Sequence, residues 1–125
     1  STTPPLAGAT DRLSVLGRPR ARGTAVRVRL TCRGPAGTRC GGALALAMWA
    51  GSGRHRHAVG VGSRRVRLGA GKRETAKVTL DRRGRRRLTA RGALRVRLEV
   101  TQGRRVVFRR WLKLHAPARA RRRAA

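Results

Sequence analysis

Apolar and polar side chains alternate along most of this chain with a period of two, the pattern of strands that bury one face. RLSVLG, Arg12 to Gly17, predicts a short first strand. In TAVRVRLTC, Val26, Val28, Leu30 and Cys32 fall on one face, and Arg27, Arg29 and Thr31 on the other. GALALAMW sets Leu44, Leu46 and Met48 against Ala43, Ala45, Ala47 and Trp49. RHAVGV, Arg56 to Val61, predicts a weak strand, and SRRVRLGAG carries Val66 and Leu68 before turning at Gly69 and Gly71. ETAKVTL points Ala76, Val78 and Leu80 inward. ALRVRLEVT does the same with Leu94, Val96, Leu98 and Val100, opposite Arg95, Arg97 and Glu99.

The last run, RRVVFRRWLKL, breaks the alternation. Val106 and Phe108 lie in phase with Leu112 and Leu114, but Arg110 falls between them while Val107 and Trp111 take the other face; a bulge near Arg109–Trp111 or an apolar outer face that something else covers would explain this, and the bulge is the reading preferred. One segment is not strand. DRRGRRRLTARG, Asp81 to Gly92, has Asp81 as a helix N-cap and Leu88 as its one large anchor, so a helical turn over about residues 81–91 crosses between sheets, weakened by Gly84. Short strands punctuated by Gly and basic turns predict an all-β, antiparallel β-sandwich of about seven strands over residues 11–115. The Pro- and Thr-rich residues 1–10 read as a flexible linker, and residues 116–125, with RARRR at Arg119 to Arg123, as a basic disordered tail.

The order VRVRLTC, CGGALALAMW, RRVRLGAGKRETAKVTLDRRGRRRLTARGALRVRLEVT and VVFRRWLKL, over about Val26 to Leu114, resembles the immunoglobulin-like (Ig/fibronectin-III-like) domains of secreted and surface proteins of high-GC bacteria. The resemblance implies an immunoglobulin-like architecture and a place outside the cytoplasm. It departs from antibody domains, which staple sheet to sheet and carry a tyrosine corner, because here the two cysteines are close in sequence and tyrosine is absent.

Cys32 ends one strand and Cys40 begins the next. A disulfide between them would pinch the RGPAGTR loop at its base, where paired antiparallel strands bring Cα atoms within reach. Closing so small a loop stabilises by about 2–3 kcal/mol in the chain-entropy model. Zinc needs two more ligands at matching spacing and a redox pair needs C-x-x-C at a helix N-terminus; neither is present. The disulfide reading predicts an oxidising compartment, extracellular or at the cell surface.

Charge changes the picture most. Lys and Arg number 33 against 4 acidic residues, a formal net charge of +29, and all but Lys72, Lys77 and Lys113 are arginine. Such a field draws polyanions. A surplus of Arg, Ala and Gly is also what a GC-rich genome writes wherever selection tolerates it, so charge alone carries no address. No run of 18 apolar residues is present to span a membrane. The core would be poor in aromatics, with Trp49, Trp111 and Phe108 its only rings.

Candidate chemistry is sparse. His55 and His57 could hold a metal edge-on, but Arg54 and Arg56 repel a cation and no carboxylate is near. Asp11, Glu74, Asp81 and Glu99 offer no carboxylate pair, and Glu99 reads as a neutralising partner for surface arginines. GAGKRET, Gly69 to Thr75, lacks the frame of a phosphate loop and reads as a turn. No enzyme, metal site or cofactor is expected. The expected function is a non-catalytic structural, spacer or adhesion module, with Arg27, Arg29, Arg95, Arg97, Arg109 and Lys113 contacting anionic envelope polymers, or with another protein domain as partner. Two other functions fit the composition. A basic nucleic-acid-binding protein would coat phosphate without sequence preference and hold its thiols reduced. A carbohydrate-binding module would need Trp49 and Trp111 exposed on one face, whereas at least one of them is expected to be buried.

Overall fold

Val26, Val28 and Leu30 are fully buried while Arg27 and Arg29 between them are exposed, so the backbone adopts the alternation written in the sequence. The computed structural model describes residues 11–116. The linker expected over 1–10 and the tail over 117–125 lie outside the described residues; Ala116 is buried, its N–H donating to the Gly92 carbonyl at 2.9 Å. Seven strands run β1 (Arg12–Arg22), β2 (Ala25–Arg33), β3 (Arg39–Ala50), β4 (His57–Gly69), β5 (Arg73–Thr79), β6 (Ala93–Gln102) and β7 (Arg105–His115), with helix α1 (Arg82–Arg91) between β5 and β6 and a 3-10 turn at Gly53–His55. They form an all-β sandwich of two antiparallel sheets, β1-β2-β5 and β4-β3-β6-β7.

The inward residues of both sheets meet in one core. Leu30, Leu44, Leu46, Leu98 and Leu114 have no exposure, and Val26, Val28, Val61 and Val96 fill the space between them. No ring belongs to this buried set. Phe108 packs at its margin, while Trp49 follows the alanine face of β3 and Trp111 pairs in register with Arg97, which carries both tryptophans outside. The core is therefore aliphatic, without the tryptophans expected in it.

The strands depart from the sequence reading at three places. β1 does not stop at Gly17 but resumes pairing with β2 at Arg20 after an irregularity, and the buried Pro19 sits in the unpaired stretch, where no ladder N–H is required. The two runs around Arg56–Val61 and Ser63–Gly71 join into the single strand β4, kinked where Leu46 pairs with Gly62 and Ala47 with Gly60, so that Val61 is an extra residue and turns into the core. The bulge of β7 lies at Val107, between Val106 opposite Thr101 and Phe108 opposite Val100, rather than at Arg109–Trp111, which pair regularly with Glu99, Leu98 and Arg97. Arg110 thus shares the phase of Leu98 but lies on the outermost strand, where it stays exposed.

The disulfide is present with a different role from the one expected. Cys32 belongs to β2 in the three-stranded sheet and Cys40 to β3 in the four-stranded sheet, so the bridge, with Cα atoms 5.7 Å apart, ties sheet to sheet rather than closing a hairpin. Both cysteines are fully buried. The β4–β5 turn docks on the same end: Gly71 N–H donates to the Cys32 carbonyl at 2.8 Å, Cys32 N–H to the Lys72 carbonyl at 3.3 Å, and Ala70 N–H to the Thr38 carbonyl at 2.9 Å. GAGKRET is the turn expected of it.

Helix α1 makes the crossing from one sheet to the other. The Asp81 carboxylate accepts the Gly84 N–H at 3.0 Å, and the chain leaves through Gly92 in the left-handed region. Leu88 is buried beneath the helix. Glycine in a helix interior costs about 1 kcal/mol relative to alanine, yet Gly84 has a positive use here, since a Cβ at this position would stand 3.0 Å from side-chain atoms of Val61 and Leu80. Its absence lets the helix lie flush on the sandwich.

Candidate polyanion-binding surface

The outer face of the three-stranded sheet is built by residues that alternate with the core. Cross-strand register sets Arg20 of β1, Arg27 of β2 and Lys77 of β5 side by side, and Arg12 opposite Arg33. All five are exposed. Arg29 lies along the same face between Leu16 and Thr75. No carboxylate shares the phase of this face: Glu74 is opposite the buried Leu30 and reaches instead towards Arg64, at 4.0 Å. Like charges directly opposite on a sheet repel, so this row of cations destabilises the sheet unless anions lie over it.

The outer face of the four-stranded sheet is differently arranged. Glu99 of β6 stands opposite Arg109 and accepts from its Nε at 3.1 Å and its Nη2 at 3.0 Å, with Arg97 Nε 3.9 Å away. This is the neutralising role expected of Glu99, and with Arg109 more than half exposed the pair contributes no more than about 1 kcal/mol. Arg95 stands opposite Lys113 and places its guanidinium over the ring of Trp111, 5.1 Å from the centroid. The six residues singled out from the sequence are thus split by the sandwich, Arg27 and Arg29 on one face and Arg95, Arg97, Arg109 and Lys113 on the other. They form two surfaces, not one, and the second is partly neutralised.

Neither tryptophan is buried, against the expectation for at least one. Trp49 is 39% exposed and Trp111 half-buried, and the rings stack across β6 with centroids 5.9 Å apart and an interplanar angle of 19°. Arg56 covers the Trp49 ring at 4.7 Å. A sugar platform needs free ring faces; here the rings face each other and each carries an arginine, so the stack serves as a surface clamp between β3 and β7. His57 Nδ1 lies 2.9 Å from the His55 carbonyl oxygen, and no group of three or more metal-ligating side chains occurs among the described residues. No helix among them is long and apolar enough to cross a membrane.

Two further sets of cations escaped the sequence reading. Arg20 lies beyond the glycine taken as the end of the first strand, and only the resumed register brings it to Arg27. The arginines of α1 were visible as a dense run, but alternation, which marks strand faces, gives no face to a helix.

The sequence matches no protein-family model and no curated protein. Among solved structures the chain is similar to parts of much larger enzymes. A GH3 β-glucosidase from Bifidobacterium adolescentis aligns with a TM-score of 0.53 and 16% identity over 83% of this chain and 17% of that one. DesR, a β-glucosidase from Streptomyces venezuelae, gives 0.50 and 14% over 83% and 15%. The β-glucosidase D2-BGL from Chaetomella raphigera gives 0.50 and 16% over 83% and 18%. At these identities the likeness is one of fold, and the chain spans less than a fifth of each of these enzymes.

Proposed function

We propose that this chain is a non-catalytic, immunoglobulin-like module of a secreted or cell-surface protein, whose cationic faces hold anionic polymers of the cell envelope. The row Arg20–Arg27–Lys77, three like charges in register with no carboxylate on their face, carries this reading. A polyanion laid across the strands supplies the missing countercharge, and guanidinium groups grip carboxylate and phosphate with paired hydrogen bonds.

Other features support the same reading. The strand order, three strands facing four, follows an immunoglobulin-like sandwich in which the fourth strand joins the sheet of the third, sixth and seventh. The acids serve structure, with Asp81 capping α1 and Glu99 held by Arg109. The buried bridge fits an oxidising compartment. The likeness to a small segment of larger glycosidases fits a module that works beside other domains.

Fluorescence anisotropy with labelled polygalacturonate and with neutral dextran tests the proposal. The wild-type chain should bind the former only, with affinity falling at least tenfold between about 50 and 200 mM salt. R20Q/R27Q/K77Q should bind about fivefold more weakly and with a shallower salt dependence, each neutralised contact releasing about one counterion fewer. Equal binding to dextran, or affinity indifferent to salt, would refute it.

A further inference from the structure

Helix α1 carries a further cationic surface, distinct from those of the two sheets. Six of its ten residues are arginine. Arg85 Nη1 donates to the Leu80 carbonyl at 3.0 Å, on the side packed against the sandwich. Asp81 holds the Gly84 N–H, and no ion pair among the described residues includes an arginine of this helix. Arg82, Arg83, Arg86 and Arg87 are therefore without countercharge, and these four alone line a shallow concavity of about 540 Å³.

Their spacing opposes the helix that bears them. Arg82 and Arg86, like Arg83 and Arg87, are four residues apart, which puts like charges about 5–6 Å from each other at Cβ and destabilises an isolated helix. Arg82 and Arg83 also stand in the first turn, where the backbone dipole disfavours cations. The buried residues that seat the helix are Gly84 and Leu88, while Arg82, Arg83 and Arg86 are exposed and Arg87 is half-buried. An anion in the concavity would remove both penalties at once.

We infer that this arginine face of α1 is a phosphate site for a flexible phosphodiester polymer, one that follows the helix turn by turn. The inference rests on the polyanion reading above but places the tightest contact on the helix rather than on the sheets. Four arginines lining one concavity suit a phosphate, whose oxygens accept from several directions; a planar carboxylate is satisfied by a single fork. A flexible chain fits better than duplex nucleic acid. α1 presents arginines but no Asn or Gln to pair with adenine edges, so its face offers phosphate contacts without a set of base-reading side chains. It also carries no aromatic side chain on which bases could stack.

The test compares the wild-type chain, R82Q/R83Q/R86Q/R87Q, the milder R83Q/R87Q and the sheet variant R20Q/R27Q/K77Q. The probes are a labelled glycerol phosphate oligomer, polygalacturonate and a DNA duplex matched in phosphate number. The fourfold helix variant should lose at least tenfold in affinity for the glycerol phosphate oligomer and less than twofold for polygalacturonate, with R83Q/R87Q intermediate and melting temperatures unchanged or raised. The sheet variant should weaken on both polymers. Equal losses of the helix variant on both polymers, no loss on the phosphate polymer, or tighter wild-type binding to the duplex would overturn the phosphodiester site. If only the sheet variant loses affinity, the helix site fails while the broader reading stands; if the wild-type chain binds none of the probes, both fail.

Discussion

C32A/C40A is expected to destabilise the folded chain by about 2–5 kcal/mol, the usual cost of removing a native disulfide from a small domain. The reason lies in where the bridge sits. It joins β2 to β3 across the two sheets at the end where the β4–β5 turn hydrogen-bonds to the Cys32 backbone, so its loss frees sheet from sheet as well as widening the unfolded ensemble. Both sulfurs are buried, and alanine leaves their volume unfilled. A domain stable by about 5–15 kcal/mol has little to spare. Urea denaturation of the variant and of the reduced wild type checks this: comparable losses support the inter-sheet staple, and a change below about 0.5 kcal/mol, the range of ordinary surface substitutions, refutes it.

Leu98→Ala is expected to cost about 2–5 kcal/mol. Leu98 is fully buried on β6, an interior strand of its sheet, and stands in register with Leu46 of β3, also fully buried. The leucines and valines around it sit on paired strands and can refill the space only in part, which favours the upper half of that range. Val106→Ala is the control: Val106 is 42% exposed beside the β7 bulge and should change stability by no more than about 0.5 kcal/mol. Similar denaturation midpoints for the two variants would show that the aliphatic core is not packed as described.

Faces were legible in the sequence where pairing was not. A period of two tells which side chains turn inward, and Val26, Val28, Leu30, Leu94, Val96, Leu98 and Val100 all do so. The same period says nothing about which strand lies alongside. RGPAGTR joins two strands equally well as a hairpin loop or as an arch between sheets, and for that reason the bridge was legible as a pair of residues but not as an inter-sheet link. Bulges escape for a related reason. One extra residue at Val107 or at Val61 resets the phase; in β7 the disturbance shows downstream, at Arg109–Trp111, and in β4 it makes one strand read as two. The tryptophans show the limit of composition, since large rings are expected inside, yet Trp49 lies in phase with Ala43, Ala45 and Ala47 and follows them outward.

The candidate surface divides along the same line. Outward arginines on β2 and β6 were readable residue by residue, but the sandwich sets them on opposite faces, and Glu99 neutralises part of one face. The uncompensated row at Arg20, Arg27 and Lys77 depends on register, and the arginine concavity of α1 depends on a helix that Gly84 allows to lie flush. Neither follows from counting charges.

The choice between a module of the cell envelope and an intracellular coat for nucleic acid turns on the state of two sulfur atoms in the cell. Intact mass of the protein taken from its native compartment, with alkylating agent present at lysis, reads that state directly. A chain lighter by two hydrogens, alkylated only after reduction, is the expected result and places Cys32 and Cys40 in an oxidising environment. Two thiols alkylated without reductant would contradict the envelope reading and direct the search to nucleic acid.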